Sequence, residues 1–143
     1  MNQQIVPAGQ GQNYDWANDH IFVKATMALS EGRVTLVEDT LKSGFHLPRH
    51  YHKQMVEIFY ILAGEIEFTF DDETVIATPG MTLNIPPNVW HDVKCANGGK
   101  LLTIFTPGGF ENYLVEMSSL TEAQFADEAL MNALAEKYDS WTR

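Results

Sequence analysis

Between residues 20 and 106 the chain is a succession of short alternating segments cut by turn residues, and this pattern leaves few architectures open. Ile66, Phe68 and Phe70 alternate with Glu65, Glu67 and Thr69, the period of two expected of a strand with one buried face. Residues 33–39 alternate in the same way, and further strands are expected over 21–25, 56–62, 75–77, 81–85, 89–95 and 101–105. Turn signals separate them: Ser30-Glu31-Gly32, Ser43-Gly44, Ala63-Gly64, Asp71-Asp72, Pro79-Gly80, Pro86-Pro87-Asn88 and Asn97-Gly98-Gly99. About eight short strands at this spacing imply an all-β sandwich or barrel. A length of 143 residues with 45% hydrophobic side chains suits one domain with one core.

The two ends differ from this middle. Residues 1–19 open on a Gln-, Gly- and Asn-rich stretch, expected to be a tail or a strand exchanged with a partner copy. Residues 20–107 are assigned to the barrel and 108–143 to a helical extension. Thr121 and Gln124 have the spacing of a capping box, in which each side chain bonds the other residue's backbone N–H. Phe125, Ala126, Ala129, Leu130, Ala133, Leu134 and Tyr138 then recur at helical spacing, predicting one amphipathic helix over 122–138 that packs on the barrel or on a partner.

Charge excludes some partners. Lys and Arg number 9 against 19 Asp and Glu, a net charge of −10, and no basic cluster interrupts it. Such a surface repels phosphate backbones and anionic lipid, so neither nucleic acid nor membrane is expected as a partner. The longest apolar run covers only 58–63, too short for a spanning helix of roughly 20 residues. The first residues lack the charged and apolar blocks of a secretory signal, so a cytoplasmic location is expected. Cys95 is the only cysteine, which leaves no intrachain disulfide and no cysteine-based zinc cluster.

Three histidines and a glutamate carry the chemistry. His50 and His52 are two apart on an extended segment, so both imidazoles point to one face. Glu57 opens the apolar strand Glu57-Ile58-Phe59-Tyr60-Ile61-Leu62, where an inward carboxylate needs something to offset its desolvation. A divalent cation would do so. His91 lies on a separate strand after Pro86-Pro87-Asn88-Val89-Trp90. Three imidazoles and one carboxylate suit Fe, Mn, Ni, Co, Cu or Zn. Phe59 and Ile61 share the face of Glu57 and are expected to wall the pocket, with Phe68 and Phe105 as further candidates. Val93 and Cys95 share the inward face with His91 by period-two counting. His46 and His20 read as solvated loop or surface residues, and Arg49 and Lys53 alternate away from the ligands.

The spacings resemble those of the cupin family. Gly44, His50-Tyr51-His52, Glu57 and Gly64 match its first motif throughout. Gly80, Pro86, Asn88, His91 and Cys95 follow the second, with Asn88 where that motif has Gly and Cys95 where it has Asn. Asn tolerates the left-handed turn the Gly would adopt, and Cys95 does not replace a ligand. The resemblance runs over about 21–105. It implies a double-stranded β-helix, or jelly-roll barrel, followed by a C-terminal α-helix, with one metal inside one mouth. The family's ligands fall on His50, His52, Glu57 and His91, the four already selected.

Pro107-Gly108-Gly109-Phe110-Glu111 resembles the corresponding stretch of the quercetin 2,3-dioxygenase-like group. That resemblance implies dioxygenase chemistry on a small aromatic or diketone-like substrate, with Glu57 as proton acceptor. Two alternatives stand beside it: a non-oxidative isomerase, lyase or decarboxylase, and a non-catalytic binding module for a small molecule. Small cupins resemble one another in pairing, so a homodimer through the outward face of Val56, Ile58, Tyr60 and Leu62 is expected.

Overall fold

In a computed structural model describing residues 2–143, ten strands form two antiparallel sheets. The strands are β1 (Asn13–Asp15), β2 (Asp19–Ala25), β3 (Thr35–Leu41), β4 (Phe45–His50), β5 (Val56–Ala63), β6 (Ile66–Thr69), β7 (Thr74–Ala77), β8 (Thr82–Ile85), β9 (His91–Cys95) and β10 (Gly99–Thr106). One sheet runs β1-β2-β3-β10-β5-β8 and the other β4-β9-β6-β7. This is the jelly-roll arrangement, with strand order scrambled relative to sequence and inner faces packed together.

The alternation seen in the sequence sets the faces. In β3 the buried positions are Thr35, Val37, Asp39 and Leu41, and in β9 they are His91, Val93 and Cys95. One buried cluster includes Phe59, Ile61, Ile66, Phe68, Val93 and Cys95. A second joins Ile21, Val23, Val37 and Phe105 to Met55 and Leu114. Two strands go beyond the sequence reading. β1 pairs with β2 of its own chain, so residues 13–15 add an edge strand within the chain. β4 carries His50 and pairs with β9.

The helical end needs a correction. The single helix expected over 122–138 is two, α2 (Glu122–Phe125) and α3 (Glu128–Lys137), preceded by an unexpected α1 (Phe110–Ser118). The Thr121–Gln124 capping box is present at the start of α2. The break follows because Asp127 leaves helical geometry and its side chain accepts from Leu130 N, starting α3. Glu111 holds α1 to the barrel: its carboxylate accepts from Met27 N at 2.6 Å and from Thr35 Oγ1 at 2.5 Å. Among the described residues no helix is long and apolar enough to cross a membrane.

Candidate metal centre

His50 faces inward because β4 contains an irregularity. Leu47 pairs with Val93 and His50 with His91, so three steps on β4 match two on β9. That extra residue reverses the alternation. Without it Arg49 would point in. With it, Arg49 is exposed, paired with Asp71 and stacked over the Trp90 ring, while His50 is buried. Pro48, which has no N–H for the ladder, sits in the bulge. His52 lies on the turn that follows, Glu57 is the second residue of β5, and His91 opens β9.

The structure brings these four together. Their ligand atoms all lie within 4.8 Å of one another, and all four residues are buried. Glu57 Oε1 is 3.1 Å from His91 Nε2 and 3.6 Å from His52 Nε2. Each imidazole gives its other nitrogen to a backbone carbonyl. His50 Nδ1–H donates to Pro48 O at 2.7 Å, His52 Nδ1–H to Asp139 O at 2.7 Å, and His91 Nδ1–H to Val89 O at 2.9 Å. A carbonyl only accepts, so each proton sits on Nδ1 and the Nε2 lone pairs are left for the cluster.

These residues fit a divalent cation. His52 Nε2 is buried with no hydrogen-bond partner, a costly state that a cation would relieve. Burial pushes the Glu57 carboxyl up, but the neighbouring His52 and His91 imidazoles outweigh it and hold it well below the usual range. Burial, then the charge of His91, pushes the His50 imidazole down to about 4. For His52 burial pulls downward, yet its contacts with Glu57 and Asp139 leave it raised. Near neutral pH the centre therefore presents an anionic carboxylate at Glu57 and an unprotonated donor nitrogen at His50.

The C-terminal end braces the centre, a feature missed in the sequence. Asp139 adopts φ 64°, and its carboxylate accepts the backbone N–H groups of Lys53, Gln54 and Met55, each at 2.8 Å. Trp141 Nε1–H donates to the same carboxylate at 3.0 Å, Trp141 pairs with Tyr51 across the backbone, and Lys53 lies over the Trp141 ring. From the other side Asn88 N donates to His52 O at 2.6 Å, with Asn88 at φ 66°, the left-handed turn expected of it.

A cavity of about 560 Å³ opens onto His50, His52 and Glu57, with His91 buried behind them, and is within the usual size range for small-molecule sites. Phe59, Val93 and Phe105 line it. Ile61, Phe68 and Cys95 do not: they lie in the buried cluster of the barrel, and the expectation that they wall the pocket is corrected. Cys95 instead borders a separate, more open depression with Gly44, Gly64 and Gly98, which contains none of the ligands. His46 is exposed at the rim of both. No Lys or Arg is among the residues lining the cavity at His50, His52 and Glu57.

The sequence matches the cupin domain family over residues 31–106, more than half of the chain. The chain belongs to the cupin family. It is 24% identical over 110 residues to a quercetin 2,3-dioxygenase of Bacillus subtilis, an alignment covering 76% of this chain and 33% of that one. This cupin thus spans about a third of the length of that curated relative. Among solved structures it is similar to an RmlC-like cupin from Shewanella frigidimarina, with a TM-score of 0.68, 20% identity, and 78% and 96% of the two chains covered. KdgF from Halomonas sp. superposes equally well, with a TM-score of 0.68, 15% identity, and 76% and 99% covered. At these identities the structural likeness speaks for the fold.

Proposed function

We propose that this cupin is a metal-dependent dioxygenase-type oxidoreductase acting on a small, largely apolar organic molecule. The observation that carries the reading is the cavity itself: it reaches His50, His52 and Glu57 of the four-residue cluster, is walled mostly by aromatic and aliphatic side chains, and has no Lys or Arg in its wall. Away from the metal, a phosphate or carboxylate of a substrate would find no Lys or Arg to pair with there. The similarity to a quercetin 2,3-dioxygenase agrees with an aromatic or diketone-like substrate.

One divalent transition metal (Fe, Mn, Ni, Co, Cu or Zn) held by those four residues would supply Lewis acidity and, for the redox-active members, a means of using O2. The chain's own residues do the rest. His50, His52 and His91 are held by their carbonyl partners with Nε2 directed inward. Glu57, kept ionised by its surroundings, accepts the proton of a substrate hydroxyl at Oε1. Phe59, Val93 and Phe105 hold the apolar body of the substrate and exclude water.

The test is oxygen uptake by protein freed of chelator, assayed for metal, then offered flavonols and 1,2- and 1,3-diketones. Uptake matched to substrate loss is expected. Turnover without uptake would make the protein an isomerase or lyase, and binding without turnover a binding module. The same reading includes a homodimer formed through the outer face of β5, where Tyr60 is 41% and Leu62 37% exposed. Equilibrium sedimentation of wild type against Tyr60→Glu checks it, with a monomeric wild type refuting it.

A further inference from the structure

The polar end of the cavity is unexplained by the metal centre. Asp39 lies on the inward row of β3, is 8% exposed, and lines the cavity with Asp19, Asn18 and Trp16. Its Oδ1 has no hydrogen-bond partner. Its charged neighbour is another acid, Asp19, within hydrogen-bonding reach. The lysines close to it in the fold are committed elsewhere. Lys42 bonds Asp15 and Trp16 O, and Lys100 pairs with Glu38, whose position alternates with that of Asp39. A buried carboxyl with a free oxygen and no counter-ion is costly, and nothing in the barrel is gained from it.

Register fixes where this carboxyl stands relative to Glu57. On β10, Phe105 pairs with Glu57 and Leu101 pairs with Asp39. Four residues of β10 therefore separate the two acids along the strands, about 13 Å at 3.3 Å per residue, and the two strand spacings from β3 to β5 add about 10 Å across them. A molecule of two or three linked rings bridges such a span.

We propose that Asp39, with Asp19 beside it, is a substrate-recognition residue remote from the metal, sharing a proton that it donates to a hydroxyl or carbonyl on the far end of an uncharged substrate. The inference rests on the small-molecule reading above and names its substrate class: polyhydroxylated, neutral and mostly aromatic. Burial, and then Asp19, push the Asp39 carboxyl up to about 9, so the proton is available at neutral pH. An anionic group at that end would meet two acids and no cation, and is rejected.

The test uses the full-length, metal-loaded protein and two flavonols sharing the 3-hydroxy-4-keto group. Quercetin carries further ring hydroxyls and 3-hydroxyflavone carries none. By calorimetry, wild type is expected to bind quercetin about tenfold more tightly, the worth of one good hydrogen bond to a buried group. Asp39→Leu is expected to bring that ratio to about one with 3-hydroxyflavone binding unchanged, and Asp39→Asn, which keeps a donor, to restore part of it. Melting temperatures give a readout independent of ligand: both variants should melt at or above wild type, since an unsatisfied acid is removed. A preserved ratio in Asp39→Leu overturns the proposal while leaving the flavonol reading intact. So does a lowered melting temperature in both variants, which would make Asp39 a structural residue, or a second equivalent of divalent metal lost with Asp39, which would make the acid pair a cation site. Failure of wild type to bind either flavonol overturns the flavonol reading and this assignment with it.

Discussion

Replacing Asp139 tests whether the C-terminal end positions the metal centre or only decorates it. Its carboxylate accepts three backbone N–H groups at 2.8 Å, and its own carbonyl takes the proton of His52 Nδ1 at 2.7 Å. Alanine is a poor substitute, because φ 64° would strain it. Asp139→Gly removes the carboxylate and keeps the backbone free to adopt the turn, and Asp139→Asn keeps one acceptor oxygen. Charge-assisted bonds contribute about 1.5 kcal/mol each at the low end, so three come to about 4.5 kcal/mol. The group is partly exposed, and screening about halves that, leaving about 2 kcal/mol. For a domain of this size the melting temperature should fall by about 4–8 °C. The effect on metal is separable: loss of an outer partner that orients a ligand weakens binding by about 10–100-fold. Competition with a chelator, read at equilibrium well below the melting transition, measures it. Asp139→Gly is expected to lower both melting temperature and metal affinity, and Asp139→Asn to do so by less. A lowered melting temperature with unchanged metal affinity refutes the positioning argument, because the tail would then be a brace alone.

Glu57→Gln and His91→Ala should each reduce bound metal from about one equivalent to a small fraction, measured by elemental analysis after reconstitution; full loading of both variants would sink the ligand assignment. Metal-free protein should lose stability as acid is added. The His50 imidazole sits at about 4 in the folded state against 6.5 unfolded, so the unfolded chain binds the extra proton across that window. The difference corresponds to about 3 kcal/mol lost between pH 6.5 and 4, absent above it, and Glu57, held low, adds loss in the same direction below its ordinary range. Denaturation midpoints of chelated wild type and His50→Gln check this, and a flat wild-type profile from pH 7 to 4.5 contradicts it. Gly64→Ala should cost about 2 kcal/mol or more by chemical denaturation, because φ is +79° and a Cβ would lie 2.6 Å from Gly98 O.

The ligand set was legible because two short motifs carry all of it: His50, His52 and Glu57 lie within eight residues, and His91 follows a distinctive Pro-Pro-Asn turn. The inward and outward faces were legible too, since parity along a strand separates them. Depth was not. Phe59 and Ile61 share a face of β5, yet Phe59 lines the cavity and Ile61 is packed in the closed core. Parity says which side a residue faces and nothing of how far along the barrel it stands. Parity also counts wrongly through a bulge, and only pairing with β9 shows that one extra residue before His50 keeps it inward. The break between α2 and α3 had a local signal, an Asp three residues before Leu130, which helical periodicity outweighed. Asp39 had one as well: an acid in the inward register of Thr35, Val37 and Leu41.

The three imidazoles are not oriented alike, and this explains why Asp139 escaped a reading of the sequence. His50 and His91 each donate to the carbonyl two residues before them, at Pro48 and Val89. Their own strands hold them, so the motifs that supply the ligands also supply their orientation. His52 lies on a turn with no such neighbour and donates instead to a carbonyl 87 residues away. Its Nε2 is also the donor nitrogen left buried without a partner. The centre therefore consists of two locally oriented histidines, a carboxylate on a central strand, and a third histidine set in place only when the C-terminal end docks against residues 51–55. The support is correspondingly divided: the barrel strands hold His50, Glu57 and His91, and the docked tail holds the His52 ring.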